Sequence, residues 1–131
     1  MHKKILIVDD DPGICHSLAI LLRGEGYDVD ETLKSMEAAS LIKKNRYDVC
    51  LFDYKLGGLN GIELLKMTKN INPQCAVFII SGMLNIDELC GKEADAGLVA
   101  GIVSKPFDVE ALLQKIAAIG SPPDVKSPDR R

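Results

Sequence analysis

Three short segments, residues 5–8, 49–52 and 76–80, are apolar without interruption, and this most narrows what the chain can fold into. Runs of four or five apolar residues are too short for buried helices. Their lack of alternation means that both faces are covered, the pattern of strands inside a parallel sheet. Between them lie stretches with helical spacing. Ile14, Leu18, Leu21 and Leu22 form one apolar stripe, and Ile62, Leu65 and Ile71 form another. Asn60 followed by Glu63, and Asn85 followed by Glu88, read as capping boxes. Asp108 reads as the N-cap of a last helix carrying Val109, Leu112, Leu113 and Ile116. Residues 27–32 alternate weakly and read as an edge strand, and residues 98–103 as the final strand. The sum is five β/α pairs. Right-handed crossovers then place helices on both faces of an open, doubly wound α/β sheet.

At 131 residues the chain has room for one such domain. Its start lacks the apolar stretch and small-residue cleavage site of a signal peptide, and no run is long enough to span a bilayer. The expectation is a cytoplasmic protein with no membrane association. Cys15, Cys50, Cys75 and Cys90 are far apart and read as small buried hydrophobes in a reducing compartment. The net charge of -3 comes without a dense basic stripe, so nothing favours direct nucleic-acid binding.

In a doubly wound sheet the site lies beyond the carboxyl ends of the strands. There the sequence puts Asp9 and Asp10 after the first strand, Asp53 after the third, Ser81 after the fourth and Lys105 after the last. Two carboxylates about 4 Å apart repel by roughly 4 kcal/mol at an effective dielectric near 20. Three ionised together call for a hard divalent cation, and Mg²⁺ best suits oxygen ligands shared with phosphate. Asp11 reads instead as a starter of the first helix, with Pro12 at or near its first position.

The strings "ILIVDDDP", "LFDYKLGGLNG", "FIISG" and "VSKPF", in this order, resemble the receiver domain of bacterial two-component response regulators over about residues 3 to 119. The resemblance implies a flavodoxin-like (βα)5 fold with strand order 2-1-3-4-5. It further implies a non-enzymatic signalling switch, assisting only its own phosphorylation and dephosphorylation. Asp53 would accept a phosphoryl group from a sensor histidine kinase or phosphotransfer protein. Asp9, Asp10, Asp53 and the backbone carbonyl of Lys55 would hold Mg²⁺, with Mn²⁺ as a substitute. Ser81 would hydrogen-bond a phosphoryl oxygen, and Lys105 would pair with its charge. A cis Lys105-Pro106 bond would aim the lysine inward. Output would pass to an effector domain or downstream protein, with homodimer formation left open.

The resemblance also implies that side chains at Lys55 and Met83, each two positions beyond a site residue, would tune the lifetime of the phosphorylated form. Three departures from the family pattern bear on the switch. Gly57 replaces the usual proline, Ile102 replaces the Tyr or Phe that many receivers carry, and the stretch between Ser81 and Lys105 is about two residues longer than the family pattern leads one to expect. Gly57 and Ile102 motivate the alternative of a phosphate-independent protein interaction module. Gly58 and Gly61 are assigned with Gly57 to loop geometry, and His2 and His16 to no role. Residues 1–119 are expected to form the domain and residues 120–131, rich in Pro, Ser and Asp, a linker or disordered tail.

Overall fold

The structure, a computed structural model, describes residues 3–82, 99–105 and 108–119. Five strands, β1 (Lys4–Val8), β2 (Asp28–Thr32), β3 (Val49–Asp53), β4 (Ala76–Ser81) and β5 (Gly101–Ser104), form one parallel sheet in the order β2-β1-β3-β4-β5. Among the described residues there are four helices, α1 (Pro12–Gly24), α2 (Ser35–Lys44), α3 (Gly61–Ile71) and α4 (Val109–Ala117). This is the flavodoxin-like arrangement expected. None of these helices is long and apolar enough to cross a membrane.

Strand alternation divides the core into two layers. Ile5, Ile7, Val49, Leu51, Phe78 and Ile80 meet Leu18 and Leu22 of α1 and Leu112 and Ile116 of α4. Leu6, Val8, Cys50, Phe52, Val77 and Ile79 meet Ala38 and Ile42 of α2 and Ile62, Leu64 and Leu65 of α3. Each fully buried Leu, Ile or Phe contributes about 1.5–3 kcal/mol, which makes β1, β3 and β4 the rigid centre of the domain. Cys15, Cys50 and Cys75 are buried and free, as small core residues.

The helix starts follow local chemistry. Asp11 caps α1, its Oδ1 accepting from Gly13 N–H at 2.9 Å and Ile14 N–H at 3.2 Å, with Pro12 at the first turn. Asn60 and Glu63 form the reciprocal capping box of α3. Asp108 caps α4.

Three expectations are corrected. The last strand is Gly101–Ser104, with Val99 and Ala100 ahead of it rather than within it: the ladder to β4 starts where Gly101 meets Phe78 and continues to Ser104 beside Ser81. Leu21 is 41 % exposed; it lines a groove between α1 and α4 with Ile14, Leu18 and Val109 rather than the core. Ile71, 43 % exposed, is the last residue of α3 and stands outside the core. The Asn85–Glu88 capping box, Met83, Cys90, the spacing between Ser81 and Lys105, the Lys105-Pro106 bond and the tail 120–131 lie outside the described residues.

Candidate functional site

Register brings the strand ends together. Val8 of β1 pairs with Phe52 of β3, Asp53 pairs with Ile80 of β4, and Ser81 pairs with Ser104 of β5. By this register Asp9, the residue after Val8, stands level with Asp53, and Lys105, the residue after Ser104, stands two positions further along the same edge. Beyond β4 and β5 the ladder continues through the Lys105 N–H, which donates to the Ser81 carbonyl at 2.8 Å. Asp9, Asp53 and Lys105 each stand two positions after a side chain of the α1–α4 layer, namely Ile7, Leu51 and Val103.

The result is a tight charge cluster. Lys105 Nζ lies 3.1 Å from Asp53 Oδ2 and 3.2 Å from Asp9 Oδ2. Asp9 is 1 % exposed and Asp53 5 %, whereas Asp10 faces solvent. One oxygen from each of Asp9, Asp10 and Asp53 falls within 4.8 Å of the others. Asp10, Asp53, Lys55, Ser81, Gly82 and Lys105 line an open cavity of about 380 Å³ above them. The sequence-based assignments of Asp9, Asp10, Asp53, Lys55, Ser81 and Lys105 thus meet in one place. Ile102 is elsewhere, packed against the α2–α3 layer.

Electrostatics set the carboxyl of Asp53 apart. Burial, joined by the nearby Asp9 charge and opposed by Lys105, pushes it up from the ordinary aspartate range to about 6. Burial also works against the charge on Lys105, but the hydrogen bond to Asp53 and the two carboxylate charges outweigh it and raise its pKa. Asp9 Oδ1 accepts the Asp11 N–H at 2.9 Å. Its Oδ2 is buried and, among the described residues, accepts no hydrogen bond, the ammonium 3.2 Å away being out of line. A buried carboxylate oxygen with no aligned donor, two more carboxylates within reach and water access on one side is a donor set that fits a hard divalent cation.

Local backbone chemistry holds Asp53 in place. The Gly61 N–H donates to the Tyr54 carbonyl at 3.0 Å, folding the start of α3 back onto the end of β3. A Cβ at Gly61 would sit 2.7 Å from the Asp53 carbonyl oxygen and 3.0 Å from Tyr54 Cα. Only glycine permits this approach. Gly61→Ala is expected to cost about 2 kcal/mol, because backbone on both sides must move. Urea denaturation of the two proteins measures it, and a difference within a few tenths of a kcal/mol would contradict the contact.

Sequence reasoning missed one polar residue that reaches this loop. Ser35, at the start of α2, bonds Gly57 and Leu59 across more than twenty residues. No motif marks it; a serine at a helix start reads as a cap.

The profile of the response regulator receiver domain matches residues 5–117. The DNA-binding response regulator MtrA of Mycolicibacterium smegmatis is 31 % identical over 118 residues, which cover 90 % of this chain and 50 % of that protein. The chain thus spans about half the length of that relative. Sporulation initiation phosphotransferase F of Bacillus subtilis is 33 % identical over 112 residues, covering 86 % of this chain and 89 % of that one. Among solved structures, a CheY-like response regulator receiver domain protein from Methanospirillum hungatei superposes with a TM-score of 0.80 at 29 % identity. That match covers 89 % of this chain and 92 % of the other.

Proposed function

The chain belongs to the response regulator receiver domain family, and from that premise we propose that Asp53 accepts a phosphoryl group from a histidine kinase or phosphotransfer protein in a Mg²⁺-dependent reaction. The observation that carries this reading is the Asp53 carboxylate held between Lys105 and the Asp9–Asp10 pair at the floor of an open cavity. Residues 1–119 form the functional unit of this proposal.

In the transfer an Asp53 carboxylate oxygen forms a bond to phosphorus as the phosphorus–nitrogen bond of the donor histidine breaks and its electron pair returns to the imidazole. Phosphoryl transfer needs positioning and charge neutralisation more than acid or base chemistry. Lys105 supplies a compact cation within reach of Asp53. Ser81, at the end of β4, has a hydroxyl that can turn toward a phosphoryl oxygen. Asp9, Asp10, Asp53 and the Lys55 carbonyl would hold the metal, which when bound neutralises phosphoryl oxygen charge; Mn²⁺ has the same ligand preference. The Lys55 side chain, on the cavity wall, is placed to tune the lifetime of the acyl phosphate.

Charge added at Asp53 pulls Lys105 off the two aspartates and biases the surrounding surface toward a second state. That surface acts on an effector domain or a downstream protein.

Intact-protein mass after incubation with a small acyl phosphate tests the proposal. One phosphoryl group is expected with Mg²⁺ and none with a chelator. No gain where a control receiver is modified would favour the phosphate-independent interaction module.

A further inference from the structure

Ser35 is polar, 1 % exposed and the first residue of α2. A serine at a helix start ordinarily turns its hydroxyl to the helix's own N–H groups. Here the residue before it, Lys34, makes no side-chain cap bond, and the Ser35 hydroxyl is directed to another element altogether. It donates to the Gly57 carbonyl at 2.6 Å and accepts from the Leu59 N–H at 3.0 Å.

Both partners lie in the loop from Tyr54 to Asn60 that joins β3 to α3. At its start the Lys55 N–H is 3.4 Å from Asp53 Oδ1. At its middle two adjacent glycines, Gly57 and Gly58, leave the backbone freer than any other pair could, and Gly58 takes a φ of +88°. The Ser35 hydroxyl binds the carbonyl of the first glycine and the N–H just after the second. The fit is close: a Cβ at Gly58 would lie 2.8 Å from Ser35 Oγ. One buried hydroxyl therefore fixes the most flexible part of the loop from both sides.

We propose that Ser35 is a positioning residue for the cation and phosphoryl site: by anchoring the β3–α3 loop to α2, its hydroxyl sets where the Lys55 backbone stands relative to Asp53. This inference rests on the function proposed above. Groups that orient a metal's ligands without touching the metal typically change its affinity by 10–100-fold when removed.

The test is calorimetric titration of the full chain with Mg²⁺, for the parent, Ser35→Ala and Ser35→Thr. The alanine variant is expected to bind Mg²⁺ about tenfold more weakly. Threonine, which keeps the hydroxyl, is expected to stay near the parent. A merely structural serine would lower the melting temperature of Ser35→Ala and leave Mg²⁺ affinity unchanged, an outcome that overturns the inference alone. Failure of the parent to bind Mg²⁺ overturns the functional reading, and the inference with it.

A second comparison keeps the test decisive if the threonine methyl is not tolerated. Gly58→Ala forces the loop off the hydroxyl in the parent, so it is expected to weaken Mg²⁺ binding there and to add clearly less in the Ser35→Ala background. Full additivity of the two substitutions would remove Ser35 from the coupling.

Discussion

Asp53→Asn is expected to abolish phosphoryl gain and, in metal-free solution at pH 8, to make the fold more stable. Loss of phosphorylation follows because the amide keeps the shape of the side chain but gives up its anionic nucleophile. The stability gain follows from linkage. Burial and the Asp9 charge push the Asp53 carboxyl up to about 6 from an ordinary value of 3.8. The folded state thus holds this proton more tightly than the unfolded chain does. Between about pH 4 and pH 6 folding takes up a proton, so stability falls as pH rises through that window and the full penalty applies above it. The difference between 3.8 and about 6 corresponds to on the order of 2–3 kcal/mol. The neutral Asn variant escapes that penalty. Its advantage is largest at pH 7–8 and disappears below about pH 4, where the parent carboxyl is protonated in both states. Urea denaturation across pH 3.5–8 with a chelator measures both features. A variant less stable than the parent at pH 8, or a gain that does not vary with pH, would sink this account of the site.

Lys105→Met is expected to act in the opposite direction on stability and to slow phosphorylation by about a hundredfold or more. Methionine retains most of the apolar stem, so what is lost is the ammonium that stands 3.1 Å from Asp53 and 3.2 Å from Asp9. Breaking a buried ion pair from one side costs about 3–5 kcal/mol, because the remaining charge is left uncompensated. Lys105 is 22 % exposed on its side chain, so the low end of that range, about 3 kcal/mol, is expected at pH 8 without metal. The sign with pH is set by the carboxylates. Without Lys105 the Asp53 pKa rises further, and the loss shrinks as pH falls through it and the proton replaces the missing cation. Mg²⁺ should recover part of the stability at pH 8 by taking over the neutralisation. Denaturation at pH 5 and pH 8, each with Mg²⁺ and with chelator, separates these effects. Equal losses at both pH values, untouched by Mg²⁺, would mean that Lys105 serves packing and not charge balance.

The positions of β1, β3 and β4 were legible because unbroken apolar runs and their lengths report burial on both faces. The starts of α1, α3 and α4 were legible because Asp11, the Asn60–Glu63 pair and Asp108 bond to backbone within three residues. These are near-neighbour interactions, written in the chain. Parallel strands also send their carboxyl ends to one edge, so Asp9, Asp10, Asp53, Ser81 and Lys105 could be grouped before any distance was known. By itself, then, the sequence determined the layer architecture, the edge to which the strand ends run and which side chains gather there.

Only the tertiary structure decided how those groups meet. That Lys105 is shared by Asp9 and Asp53, and that Asp9 Oδ2 is buried without an aligned donor, depends on inter-strand register to within a hydrogen-bond length. The start of β5 at Gly101 depends on where its ladder with Phe78 can form. The exposure of Leu21 depends on how α4 lies along α1, and the reach of Ser35 to Gly57 and Leu59 on how α2 lies along the β3–α3 loop. All of these join segments distant in the chain. Their geometry is set by packing across crossovers, a sum of many small contacts that leaves no local periodicity, cap or motif to read.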